Sequence, residues 1–390
     1  MEKSEIINLT VQMGDVVINV LKGRLTGCEY SLPDNVDYEK LYKFCEMHKV
    51  TSLVAGEVVK CENIPAEIKA LFQKQLFRCA ARHTAQEKEM HGLTDMFTES
   101  NIKHCFLKGT KVSRYYPEPE LRFMLDMDIY IEPQKFEEAK KLMLQRGYEV
   151  ISVESDKDIA LSKKPFLNID LHKELKYDYD KGYDYYKSAF SRLTDVEGTT
   201  AMNMANEDFY VYILSHTAHH FETAGTGIRS IVDHYCIRKG LLPHCDSAAL
   251  EKGLEATGLK VFNDRMNALC DYWFDGAQAD ESVQAMAQYI FLSGVYGTQT
   301  NTYMSGIGRG EYGEDKSAYF IKRLFPPYKS MSARYPVLKR LAFLLPVFWI
   351  IRIVSAVFGK EDFKKEVKNV TATSKDAVTA HLDFLKENGL

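Results

Sequence analysis

The 390-residue chain has no C-x-x-C pair; its eight cysteines are scattered from Cys28 to Cys270. That spacing argues against a structural zinc site and against a disulfide framework, and makes a reducing cytosol the simplest compartment. An excess of positive charge is also missing: 50 lysines and arginines stand against 54 aspartates and glutamates, for a formal net charge of -4. A general nucleic-acid binder would carry a basic footprint, so a nucleic-acid acceptor is disfavoured. The start, Met1-Glu-Lys-Ser-Glu-Ile, has no basic region followed by an apolar stretch and cleavage site, which gives no secretory signal. The strongly apolar segment from Leu338 to Phe358 is interrupted by Pro346 and Arg352, and its longest uncharged run is Leu341 to Ile351. A bilayer span takes about 20 apolar residues, so this run is too short. With Lys329, Arg334, Lys339, Arg340, Arg352 and Lys360 around Phe348 and Trp349, the segment suits packing within the chain or between copies. Peripheral contact with the inner face of a membrane is the other reading. The glycines from Gly306 to Gly313 follow no strand, so they read as a mobile loop and not a dinucleotide fingerprint.

What is present begins with Phe106-Leu-Lys-Gly-Thr110, followed by Arg122-Phe-Met-Leu-Asp-Met-Asp-Ile-Tyr-Ile131. Asp126 and Asp128 are two residues apart in an apolar strand running from Met124, so both carboxylates should leave the same face. Like charges side by side are tolerable around a cation, and Mg²⁺ takes one or two protein carboxylates with water and phosphate oxygens. A later apolar strand, Phe166-Leu-Asn-Ile-Asp-Leu-His172, supplies Asp170 and, on the same face, His172. Three acids on neighbouring strands could hold two Mg²⁺ or Mn²⁺ ions and clamp both oxygens of an in-line displacement at phosphorus. The turn offers a triphosphate cradle: Gly109 for close backbone approach, the Thr110 hydroxyl, and the charges of Lys108 and Lys111. Arg122 suits a bidentate oxyanion contact, with Glu118 or Glu120 as the ion-pair alternative.

Gly-Thr, then Asp-x-Asp, then a lone Asp on a later strand resembles the nucleotidyltransferase superfamily that includes DNA polymerase beta, in which a Gly-Ser turn precedes the paired acids. Thr110 keeps the hydroxyl of that serine. More narrowly, Leu107-Lys-Gly109, Tyr116-Pro117, Arg122, Asp126-Met-Asp128, Gly147-Tyr148 and Ile169-Asp-Leu-His172 resemble a large, mostly uncharacterised bacterial nucleotidyltransferase family. The resemblance implies transfer of a nucleoside monophosphate from an NTP to a hydroxyl or phosphate of a small-molecule, glycan or protein acceptor. It also implies a sugar-related or cell-surface pathway.

A second block, Tyr210 to Phe221 and then Gly225-Thr-Gly-Ile-Arg-Ser-Ile-Val-Asp-His234, reads as a helix, a glycine turn and a second helix. His216 and His220 lie one turn apart on one face. No zinc-protease glutamate or His-Asp dyad accompanies them, so a metal site there is disfavoured. The segment resembles the family's second recurring block, with His219 where lysine is expected. In the functional reading it closes over the substrate with Arg229 on phosphate, while His172, His216, His220 and Asp233 support the site. In the structural one, His216, His220 and Asp233 only orient two helices.

These observations predict an α+β protein: an N-terminal helical region (1–100), a small mixed-sheet nucleotidyltransferase core (101–178), a C-terminal helical domain (179–335) and an apolar, amphipathic terminal segment with its tail (336–390). Within the core, Tyr148–Val153 and Ala160–Leu171 read as a hairpin leading to Asp170. Two rivals remain, a nucleotide-binding protein without turnover and a metal-dependent glycosyltransferase. The second needs several alternating strands and helices before Asp126, where the pattern is helical.

Overall fold

The computed structural model describes residues 3–390 except 31, 34, 154–156, 176–181, 312–315, 329, 330, 333, 334 and 360. Lys329, Arg334, Lys360, Gly313 and the boundary at 178 lie outside those residues. Four helices come first: α1 (Lys3–Thr26), α2 (Tyr38–His48), α3 (Thr51–Val58) and α4 (Ala66–Glu99). The Asp37 carboxylate caps α2 by accepting from the Lys40 N–H at 3.0 Å, and the helix stops at Lys49, whose φ of 54° is left-handed. After Pro65, α4 runs for 34 residues and lays its last turns across the sheet.

The core consists of β1 (His104–Phe106), α5 (Gly109–Val112), β2 (Met127–Ile131), α6 (Phe136–Gln145), β3 (Glu149–Val153), β4 (Asp158–Lys163) and β5 (Leu167–His172). The sheet order is β1-β2-β5-β4-β3; β2 and β5 pair in parallel and the other neighbours are antiparallel. Ala160–Leu171 is therefore two strands, split by the turn at residues 164–166. Strand alternation gives the sheet two unlike faces. Met127, Ile129, Ile131, Ile159, Leu161 and Leu171 are buried against Leu93 and Phe97 of α4 and Phe136 and Met143 of α6. Glu89 of α4 locks this side by accepting from Arg146 Nε at 2.7 Å and Tyr148 Oη at 3.1 Å. The opposite face carries the acids.

The rest is mostly helical: α7 (Tyr183–Lys187), the two-stranded ribbon β6 (Thr194–Asp195) and β7 (Met202–Asn203), α8 (Asn206–Thr223), α9 (Ile228–Gly240), α10 (Ser247–Thr257), α11 (Lys260–Cys270), α12 (Glu281–Ser293), α13 (Gln299–Gly308), α14 (Lys316–Leu324), α15 (Leu345–Gly359), α16 (Glu361–Ala372) and α17 (Lys375–Glu387). One core runs through both helical parts, joining Leu21 and Leu41 from the N-terminal helices to Phe221, Phe262, Phe291 and Leu385. Helical residues thus wrap the acid face of a sheet whose other face is filled by α4 and α6. The glycines from Gly306 are not all in a loop: Thr298 caps α13 by accepting from the Asn301 N–H at 3.1 Å, and Tyr303 and Met304 bury it. Among the described residues no helix is long and apolar enough to cross a membrane.

Candidate active site

The floor of the site follows from sheet register. Parallel pairing sets Asp128 beside Asp170 and Tyr130 beside His172, and the antiparallel pairing of β4 with β5 sets Asp158 beside His172. Side chains two apart share a face, so Asp128, Asp170 and His172 project together. Asp126 reaches the same cavity from the loop ahead of β2, since the strand begins at Met127 and not at Met124. His172 donates from Nε2 to Asp128 Oδ1 at 2.9 Å and from Nδ1 to Asp158 Oδ1 at 2.7 Å. Although burial opposes the charged form, the two aspartates push His172 up to about 9, and it is an imidazolium near neutrality. Lys108 Nζ also donates to Asp128 Oδ1, at 2.7 Å.

The acids are held unequally. Burial works against ionising Asp128, but Lys108 and His172 outweigh it and keep this carboxyl well below the ordinary range. Burial, with Asp128 beside it, raises Asp126. Burial, Asp126 and Asp128 together push Asp170 up to about 7. Like charge is thus crowded at Asp126 and Asp170, while Asp128 is compensated by Lys108 and His172.

Strain marks the turn above it. Lys108 has φ 40° and ψ -118°, a conformation that suits glycine, and it starts α5 with its ammonium turned onto Asp128. Lys108 and Gly109 line the cavity; Thr110 and Lys111 do not. Successive residues of a helical turn are rotated by about 100°. Thr110 is accordingly buried, donating to the Leu107 carbonyl at 2.9 Å, and Lys111 turns to Asn203 Oδ1 at 3.5 Å. Gly109 is needed for packing: a Cβ there would lie 2.5 Å from Met124 Sδ and 2.9 Å from Arg122 Nη1.

The walls come from the helical residues. Arg122 is not held by Glu118 or Glu120; it donates from Nε and Nη2 to the two oxygens of Asp233 on α9, at 2.6 and 2.7 Å. Tyr116 Oη adds a bond to Asp233 Oδ1 at 2.5 Å. Burial opposes ionisation of Asp233, yet Arg122 holds it below the ordinary carboxylate range. This buried trio joins the core to α9, and an ion pair of that kind leaves Arg122 little capacity for phosphate. Arg229 lines the cavity with one bond, Nη1 to the Phe123 carbonyl at 3.3 Å, while its buried Nε has no partner. Burial, and then Arg122, lower its pKa. A desolvated guanidinium with an open donor suits an anionic ligand. From α8, His216, His219 and His220 also face the cavity, with His216 Nε2 and His220 Nε2 3.1 Å apart. Gly225 and Gly227 let the turn between α8 and α9 press on Ser293 and Val295.

The cavity has a volume of about 410 Å³, within the usual small-ligand range of roughly 300–1,000 Å³. Asp158 and Tyr212, which line the cavity, were not among the residues singled out from sequence, and Tyr116 stood there only as part of the family motif. Asp158 had a readable signal, since folding 158–163 back on 167–172 sets it opposite His172. No cage of three or more metal-ligating side chains exists among the described residues. The donors present are nonetheless carboxylate oxygens suited to a hard cation, which needs only one or two of them beside substrate oxygens. Asp126, Asp128 and Asp170 carry such oxygens, and the like-charge crowding that raises Asp126 and Asp170 is what a bound cation would relieve.

A family model described as an uncharacterised nucleotidyltransferase matches residues 34–275, which takes in the acids, the strained turn, Arg122, Arg229 and Asp233. No curated protein and no solved structure matches the chain.

Proposed function

The chain belongs to this uncharacterised nucleotidyltransferase family, and from that premise we propose that it transfers a nucleoside monophosphate from an NTP to a hydroxyl or phosphate of its acceptor, using Mg²⁺ or Mn²⁺. The observation that carries the reading is the register that pairs Asp128 with Asp170 at a cavity that Arg229 also lines. Asp126, Asp128 and Asp170 would hold the cation, with Lys108 and His172 fixing the Asp128 carboxylate through Oδ1. When bound, the ion neutralises charge on the transferring phosphoryl group and the departing pyrophosphate. His172, fixed between Asp128 and Asp158, positions the Asp128 carboxylate. Asp170, beside Asp128 in the sheet, would favour deprotonation of the acceptor hydroxyl from the nucleophile side of the site. Arg229, which lines the cavity, meets phosphate oxygens with its guanidinium. The acceptor is read as part of saccharide or cell-surface biosynthesis in the cytoplasm.

The glycosyltransferase rival loses ground, because among the described residues five helices, α1 to α5, and one three-residue strand precede Asp126 where a nucleotide-sugar fold would need several alternating strands and helices. Calorimetric titration of ATP, CTP, GTP, UTP and UDP-glucose, with and without Mg²⁺, followed by label transfer from the bound nucleotide, tests the proposal. Mg²⁺-dependent binding of one NTP and label transfer that Asp128→Asn abolishes, with circular dichroism unchanged, is the expected result. Binding without any transfer would leave the non-catalytic binder, and a preference for UDP-glucose would restore the glycosyltransferase.

A further inference from the structure

Residues 316 to 360 contain nine lysines and arginines and no aspartate or glutamate, in a chain whose acids outnumber its bases. The same stretch holds ten of the twenty-one exposed large apolar side chains among the described residues, from Ile321 to Val354. Charge of one sign and apolar surface thus coincide in one stretch of the chain, whose described residues do not line the cavity.

Helix α15 explains how both stay exposed. Its inner side is used within the chain: Phe348 packs on Tyr335 with ring centroids 4.6 Å apart, and Trp349 packs on Phe325 at 5.5 Å. Trp349 Nε1 donates to the Pro326 carbonyl at 3.0 Å, and Arg352 Nη2 to the Arg323 carbonyl at 3.3 Å. The outer side carries Val347, Ile350, Ile351 and Val354, the spacing of one helical face, each 47 to 61% exposed. Phe343, just ahead of the helix, is 75% exposed. Lys322, Arg323, Lys339 and Arg340 are exposed in the same stretch. The unit is anchored below, where Tyr319 of α14 is buried against Tyr303 and Lys316 Nζ donates to the Thr371 carbonyl at 2.7 Å.

We propose that this face seats the protein on the anionic interface of a lipid bilayer, with α15 lying in the plane of the membrane. A short helix with a wide apolar side, flanked in the chain by exposed basic residues, matches acyl chains beneath and phosphate headgroups beside it, and among the described residues no helix is long and apolar enough to cross the bilayer instead. A second copy fits less well. A two-fold contact places the same patch on both sides, so the basic residues would meet like charge. The inference is independent of the nucleotidyl-transfer reading.

The test is sedimentation of the full chain with vesicles of phosphatidylcholine alone or mixed with equal phosphatidylglycerol, beside sedimentation velocity without lipid. Binding to the mixed vesicles only, weakened by salt, is expected. Phe343→Ser with Ile350→Glu should weaken it roughly tenfold or more, as should Lys339→Glu with Arg340→Glu. All four positions are exposed, and circular dichroism checks that each pair of changes leaves the fold intact. No binding to either vesicle, equal binding to both, or a lipid-free dimer that the Ile350 variant dissolves would overturn the proposal, the last by assigning the face to a second copy.

Discussion

Lys108 holds its strained backbone because its ammonium meets Asp128. Non-glycine residues in such regions cost roughly 1–3 kcal/mol. Lys108→Gly removes both strain and charge, whereas Lys108→Ala removes only the charge. Comparing their urea midpoints should find the glycine variant more stable by about 1–2 kcal/mol, with transfer lowered in both if Lys108 orients Asp128. Equal midpoints would show that the turn is relaxed. Asp233 makes a second case at this scale. Asp233→Ala strands the buried Arg122 guanidinium and is expected to cost about 3–5 kcal/mol, against about 1 kcal/mol for Tyr116→Phe. Equilibrium unfolding checks the order; a cost for Asp233→Ala no larger than for Tyr116→Phe would mean that Arg122 finds solvent or another partner.

Among the secondary-structure elements, buried neutral histidines sit where helices meet. His48 of α2 accepts from the Ile228 N–H at the start of α9, His234 of α9 lies beside Asn267 of α11, and His381 of α17 meets Ser305 of α13. Burial pulls them down to about 3, about 4 and about 4. An unfolded histidine titrates near about 6.5, so as pH falls below that value the unfolded chain gains protons that the folded chain refuses. Their contribution is present above the unfolded pKa and is lost toward the folded one. Asp170, raised to about 7, works the other way by one proton, while the raised Asp126 and the lowered His104 oppose each other. The excess of roughly two protons predicts a stability loss on the order of 2–3 kcal/mol per pH unit between about pH 6 and 5. Denaturant unfolding across that window checks the slope; a flat profile would mean that the helix seams open to solvent.

Across the whole molecule, the C-terminal residues are part of the main core. Phe384 of α17 stacks on Phe221 of α8 with centroids 5.9 Å apart, and Leu385 is 4% exposed. Leu385→Ala should therefore cost about 2–4 kcal/mol, and a chain ending before Lys375 should melt well below the full chain. Thermal unfolding tests both, and an unchanged melting point after truncation would show that the core closes without α17. Because α9 helps wall the cavity and α8 packs against α17, such a loss should also weaken nucleotide binding at a site the truncation does not touch.

The sequence by itself determined what local periodicity can set. Two-residue alternation put Asp170 and His172 on one strand face, a four-residue interval put His216 and His220 on one helix face, and the ordered motifs identified the family that the match over residues 34–275 shows. Only the tertiary structure decided which side of the turn after Lys108 meets the cavity, sending Thr110 and Lys111 elsewhere. It alone gave Arg122 a partner 111 residues away, and it set Asp128 beside Asp170 by bringing two distant strands into parallel register. The reason is physical: a side chain's direction on its own element depends on backbone geometry that neighbouring residues encode. What it meets depends on how distant apolar faces pack, and that is settled only when the whole core closes.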